Sequence, residues 1–196
     1  GKYWLDLNAN DLHWNISDTG WAKAAYSSYF GPWIRGAALF VHHTDSFDPV
    51  QTLKLLSKNP ITTMCGAPTI YRMLVQLNLS EFTFPRLRHC VGAGEPLNPE
   101  VIETWLKATG IVIRDGYGQT ETVLCCGNFP FLEPRFGSMG KPMPGVEMEI
   151  IDCDGKSLPA DTEGDIAIRV KPIRAPGLFT DYRGDPERYQ SCFVGD

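Results

Sequence analysis

Residues 87–121 read LRHCVGAGEPLNPEVIETWLKATGIVIRDGYGQTE. The stretch splits into a strand (LRHCVG), a glycine-rich turn (VGAGEP), a helix (NPEVIETWLKATG), a second strand (IVIRD) and a second glycine-rich turn (DGYGQTE). The helix is well marked. Asn98 suits the N-cap and Pro99 the first helical position, where its missing N–H costs nothing. Val101, Ile102, Trp105 and Leu106 fall on one face, and Gly110 suits the left-handed end. A strand, a helix and a strand in succession demand a crossover, and a crossover implies parallel strands with helices on the faces of the sheet.

The same alternation extends upstream. Residues 37–43, AALFVHH, read as a buried strand. In FDPVQTLKLLSKNP, Asp48 is placed to cap, Pro49 to start, and Val50, Leu53 and Leu56 to pack. ITTM, 61–64, is a short apolar strand, and APTIYRMLVQLN a helix with Ile70, Leu74 and Leu77 at helical spacing. After residue 137 the pattern changes. GSMGKPMPG is a Gly/Pro-rich connector, and VEMEIID, the turn DCDG and GDIAIRV alternate with period two, which reads as antiparallel β without helices. The expected organisation is an α/β parallel-sheet unit over 1–137, carrying the site, and a β-barrel-like unit over 138–196.

Composition bounds the function. The chain has 196 residues, 43% of them hydrophobic, and a formal charge of −5. The absence of a Lys/Arg block argues against nucleic acid as a partner. No apolar run approaches the roughly 20 residues of a membrane span. Six scattered cysteines without a C-x-x-C spacing suggest a reducing compartment, cytoplasmic by default. The four histidines make no zinc pattern and read as core or surface residues without a ligand role.

In open parallel sheets, ligands bind beyond the carboxyl ends of the strands. Both glycine-rich turns lie at such ends. Without a Cβ, glycine lets backbone amides approach a ligand closely. Tyr117 offers a flat face, Thr120 a hydroxyl, and Glu121 a hard oxygen ligand for Mg²⁺. These parts suit a purine nucleotide and its phosphates, although neither a P-loop nor a strand-following G-x-G-x-x-G is present.

DGYGQTET resembles the Tyr-Gly-x-Thr-Glu signature of the adenylate-forming enzymes, which include acyl-CoA synthetases, luciferases and peptide-synthetase adenylation domains. SDTGWAKAAYSSYFGPWIRGAALFVHH, MCGAPTIYRML, VGAGEPLNPEVIETW, GSMGKPMPG, EGDIAIRV and the closing FVGD follow in the order of the medium-chain acyl-CoA synthetase branch. That resemblance implies an ATP-dependent acid–CoA ligase. A medium-chain or branched short-chain carboxylic acid attacks the α-phosphate of ATP to give an acyl-adenylate, and coenzyme A then displaces AMP. An aryl acid, or a non-catalytic nucleotide-binding role, is the alternative.

The resemblance also implies the site. Gly94, Glu95 and Pro96 would line one side of adenine and Tyr117 would stack on the other, with Asp115 and Gly116 near the base. Thr120 would bind the α-phosphate, Glu121 would hold Mg²⁺, and Gln119 would help position phosphate and acyl group. Asp196 would bind the ribose. Trp21, Ala22, Lys23, Ala93 and Gly118 would line the acyl pocket. Acetyl-CoA synthetases carry Trp at the place of Gly118, so glycine is expected to leave room for a longer acid. Trp21 reads equally as a plain core aromatic and Lys23 as a helix cap, while Cys65 borders the pocket without a role. The family's phosphate loop and its C-terminal domain with a catalytic Lys lie outside these residues. The chain is therefore expected to be a central piece of a longer protein, inactive alone, with the mitochondrial matrix as the alternative to the cytoplasm; its oligomeric state is not legible.

Overall fold

The computed structural model describes residues 1–195, so Asp196 lies outside the described residues. Seven strands form one mixed sheet in the order β2-β1-β3-β4-β5-β6-β7. The parallel part comprises β2 (Ala38–Leu39), β1 (Leu12–Ile16), β3 (Thr63–Gly66), β4 (His89–Ala93) and β5 (Ile113–Gln119). The sheet continues antiparallel through β6 (Val123–Gly127) and β7 (Lys141–Pro142). A separate antiparallel pair, β8 (Met148–Ile151) and β9 (Asp165–Ile168), follows.

Both faces of the central sheet are covered, so its inner strands have no polar side. Met64 of β3 and Cys90 of β4 join a core with the helices α3 (Pro49–Lys58), α4 (Pro68–Leu74) and α5 (Pro99–Thr109). Their neighbours Cys65 and Val91 point the other way, against Trp4, Leu5 and Leu7 of the N-terminal segment. Alternate residues thus enter two different cores, and the strands read as continuous apolar runs. Trp105 of α5 is fully buried, stacked on Phe84 at 5.8 Å and edge-on to Tyr71 at 5.9 Å.

The caps explain where helices begin. Asp48 accepts a hydrogen bond from the Gln51 amide at 3.0 Å, and Pro49 opens α3 as expected. Leu53 and Leu56 are buried, but Val50 faces outward. In α5 the Asn98 side chain makes no capping bond, and Gly110 takes the left-handed conformation at φ 75°. Between α1 (Ala22–Ala24) and α2 (Gly31–Ile34) the chain winds as a π-helix over Ala25–Phe30.

Several expectations need correction. AALFVHH is not a buried strand. Only Ala38–Leu39 pair, at the sheet edge, and Val41 is exposed. The inner position belongs to β1, LHWNI, in which Leu12, Trp14 and Ile16 alternate with His13 and Asn15 and both His13 and Trp14 are buried. The β unit also holds a short helix, α6 (Pro186–Gln190), capped by Asp185. Most relevant to function, DGYGQTE is not a βα turn: β5 runs through Gln119 and folds back into β6 as a hairpin.

Candidate functional site

Three segments meet at the carboxyl ends of β1, β4 and β5. They enclose a cleft of about 470 Å³. Its walls include Trp21, Ala22 and Lys23 after β1, Ala93, Gly94 and Glu95 at the end of β4, and Gly118, Gln119 and Thr120 at the tip of the β5–β6 hairpin. Trp4, Asp18, Tyr26, Ser27, Ile70 and Leu124 are among the other lining residues. The cleft therefore brings together all five residues expected of an acyl pocket and four of the expected nucleotide contacts.

Of the other expected residues that are described, Pro96, Asp115, Gly116, Tyr117 and Glu121 are not part of the cleft lining. Strand alternation places Gly116 and Gly118 toward the cleft side and Asp115 and Tyr117 on the opposite side. A Cβ at Gly116 would press on Trp4, a cleft residue, at 2.9 Å. Asp115 is buried, its Oδ1 accepting from the Gly116 amide at 2.9 Å. Burial pushes its carboxyl up to about 6. Pro96 accepts through its carbonyl from Arg72 at 3.5 Å.

At the hairpin tip, Thr122 fixes the turn. Its Oγ accepts from the Gln119 amide at 2.9 Å, and its hydroxyl donates to the Val123 carbonyl at 2.9 Å. Thr120 and Glu121 are held between these anchors. The Tyr182 hydroxyl donates to Glu121 Oε1 at 2.7 Å, and the Phe179 amide donates to the Glu121 carbonyl at 2.8 Å. The Tyr182 bond, the largest influence, holds the Glu121 carboxyl below the usual range. Glu121 is therefore an ionised carboxylate, with Oε2 receiving no bond among the described residues. Sequence reasoning missed Tyr182, which lies 61 positions away and carries no local signal. It also missed Trp4, whose indole donates to the Asp115 carbonyl at 3.3 Å.

Glu95 faces outward from the cleft rim. Thr69 donates to its carboxylate at 2.8 Å and Arg72 pairs with it. The Thr69 bond, followed by Arg72, lowers its pKa. Lys23 does not cap a helix; its ammonium donates to the Ala93 carbonyl across the cleft at 3.2 Å. Trp21 is 71% exposed at the rim, so it is no core aromatic. Cys65 is fully buried behind the wall and does not line the cleft. Its thiol is pushed up by burial. His13 and His89 are buried and His42 and His43 exposed.

Gly118 lines the cleft for a different reason from the one expected. A Cβ at Gly118 would not enter the cavity. It would lie 1.8 Å from the Val123 carbonyl oxygen and 2.8 Å from the Leu124 Cα. A register shift between Tyr117 and Gly118 draws the two strands together there. Glycine is required by the neighbouring backbone, and the open acyl wall does not depend on what a side chain at 118 would fill.

A metal site built from protein alone is not present: among the described residues no cluster of three or more His, Cys, Asp or Glu could hold an ion. One ionised carboxylate beside a threonine hydroxyl still fits Mg²⁺, which usually takes one or two carboxylates and completes its shell with phosphate oxygens and water.

The family described as AMP-binding enzyme matches residues 2–182. The mitochondrial acyl-coenzyme A synthetase ACSM3 of Homo sapiens is 53% identical over all of this chain, which covers 33% of that protein. An acyl-CoA synthetase from Brucella canis superposes with a TM-score of 0.85 at 33% identity, over 93% of this chain and 34% of that one. An anthranilate CoA ligase in complex with anthranoyl-AMP gives a TM-score of 0.86 at 28% identity, over 97% of this chain and 36% of that one. The chain spans about a third of the length of the curated relatives it matches. No helix of the described residues is long and apolar enough to cross a membrane.

Proposed function

This chain belongs to the AMP-binding enzyme family, and from that premise we propose that it forms the acyl- and nucleotide-contacting part of an ATP-dependent acyl-CoA synthetase. Its acid is a medium-chain or branched short-chain carboxylate. The observation that carries this reading is the convergence of Trp21–Lys23, Ala93–Glu95 and Gly118–Thr120 on one cleft.

The chemistry follows from positions. An acid oxygen attacks the α-phosphorus of ATP and pyrophosphate leaves; the thiol of coenzyme A then attacks the acyl carbon and AMP leaves. No protein nucleophile is needed, so the chain contributes orientation and charge stabilisation. Thr120, at the tip of the hairpin, donates to the α-phosphate. Gln119 orients phosphate and acid from the same tip. Gly94, Glu95 and Pro96 border adenine on one side and Tyr117 stacks on the other, with Asp115 and Gly116 near the base. Asp196 takes the ribose hydroxyls. Glu121 would hold Mg²⁺, whose charge would neutralise that of the phosphates, and Tyr182 orients the carboxylate.

The same reading assigns residues 1–137 to the site-bearing unit and 138–196 to a β unit, supported by the separate β8–β9 sheet. It expects the chain alone to lack ligase activity, because the acceptor-handling parts belong to the rest of the polypeptide. It favours the mitochondrial matrix over the cytoplasm, on the printed name of the Homo sapiens relative. Pyrophosphate exchange into ATP by the full-length polypeptide tests the proposal, with acids from acetate to decanoate and aryl acids included. Exchange that peaks beyond acetate supports it. A peak on aryl acids would move the substrate class, and exchange with no acid would leave only nucleotide binding.

A further inference from the structure

The correction at Gly118 leaves open what sets the acyl preference, because a side chain there meets backbone and not the cavity. Among the residues lining the cleft, Lys23 stands out. It is the one cationic residue on those walls. The two carboxylates there are engaged elsewhere. Glu95 is held by Thr69 and Arg72, and Asp18 accepts from the Gly20 amide at 2.7 Å. Among the described residues Lys23 makes no ion pair, and its single hydrogen bond goes to the Ala93 carbonyl at 3.2 Å. An ammonium has three N–H donors, so two remain.

Location decides what those donors can meet. Lys23 reaches the end of β4, its ammonium 4.0 Å from where a Cβ of Gly94 would stand. Its charge also acts on Cys65, the fully buried thiol of β3 behind the wall. The cleft walls also carry Ala22, Tyr26, Ile70 and Ala93, which present mainly carbon. The Lys23 ammonium therefore sits at the end of β4, whereas Thr120 belongs to the hairpin tip. A saturated chain lying along this wall would strip water from the ammonium without replacing its hydrogen bonds, which is costly. A chain carrying an oxygen acceptor would replace them, and bonds to a charged donor are the stronger kind.

We propose that Lys23 is a specificity-determining residue of the acyl cavity, selecting acids whose tail carries an oxygen acceptor over saturated acids of the same length. This inference rests on the acyl-CoA synthetase reading and names its substrate class more closely.

The test uses the full-length polypeptide and acid-dependent pyrophosphate exchange. Octanoate is compared with 4-, 5-, 6- and 7-oxooctanoate, which share its length and place a ketone at successive depths. In the wild type at least one oxo acid exceeds octanoate in kcat/KM. Lys23→Met keeps the length of the side chain and removes the charge. It should shift the ratio of the best oxo acid to octanoate toward octanoate by about 10- to 100-fold, the range expected for a hydrogen bond to a charged group. Lys23→Arg retains a cation and should retain the sign of the preference, so it carries the test if the Met variant fails to fold. A ratio that stays within two-fold in a folded Met variant, or reverses in the Arg variant, overturns the assignment of Lys23 alone. Exchange with none of these acids in the wild type overturns the underlying reading, and Lys23's role with it.

Discussion

A Cβ at Gly118 would lie 1.8 Å from the carbonyl oxygen of Val123, and Val123 itself adopts a positive φ of 57°. Two strands of the signature hairpin touch at backbone level, and a β-branched residue pays for it with a conformation that such residues rarely adopt. Gly118→Ala should therefore destabilise the chain by about 2–3 kcal/mol, the range of core overpacking, lowering Tm by roughly 4–12 °C. Thermal unfolding checks this. Gly118→Trp should lose the hairpin and its activity together; an active, normally stable Trp variant with a shifted acid optimum would show that the strands separate easily.

Asp115 supplies a pH prediction. Its folded-state pKa is raised to about 6 from an ordinary 3.8 by burial. Between those values the folded chain binds more protons than the unfolded one, so stability falls as pH rises from about 4 to about 6 and is level above. Asp115→Asn removes that fall and keeps an oxygen to accept from the Gly116 amide. At pH 7.5 it should gain about 1–3 kcal/mol, while weakening nucleotide binding. Denaturant titrations at pH 4, 5, 6 and 7.5 decide it: a variant whose stability still declines over that window would remove Asp115 as the cause.

Tyr182→Phe deletes the hydrogen bond that orients Glu121. Outer partners of metal ligands commonly matter 10- to 100-fold. The Mg²⁺ concentration for half-maximal pyrophosphate exchange should rise by about ten-fold, with the acid preference unmoved. An unchanged Mg²⁺ requirement would mean that the contact only tethers the loop.

Asp48→Ala tests the helix caps. It removes the bond to the Gln51 amide at the start of α3. A loss of about 1 kcal/mol is expected, a fall in Tm of roughly 2–4 °C, with nucleotide binding intact. A negligible change would mean that Pro49 and the packing of Leu53 and Leu56 alone fix the start.

The parts of the fold legible in the sequence were those set by local rules. Asp48–Pro49 before Leu53 and Leu56 marked α3, and Pro99 with Gly110 bounded α5. What escaped was decided by contacts between distant segments. LHWNI is a short alternating run whose inner place in the sheet depends on distant partners, with His13 buried against Thr63, its Nδ1 2.7 Å from the hydroxyl. AALFVHH has strand character but lies at an edge. The signature looked like a turn because its glycines signal turns; only the partner β6 shows that they serve a close strand pair. For the site, sequence identified residues that gather on the cleft, yet it missed Trp4 and Tyr182. Neither belongs to a motif, and both act through single hydrogen bonds over 61 or more positions.

The most direct test of the central claim is pyrophosphate exchange by the full-length polypeptide carrying Glu121→Gln, with octanoate, saturating ATP and millimolar Mg²⁺. If the β5–β6 hairpin presents the metal ligand of an adenylating cleft, exchange should fall by at least about 100-fold, as when one charge-stabilising group of an active site is removed, while the thermal unfolding profile stays close to that of the wild type. Exchange at the wild-type rate in the folded variant would contradict the account, because the carboxylate at the hairpin tip would then play no part in the chemistry.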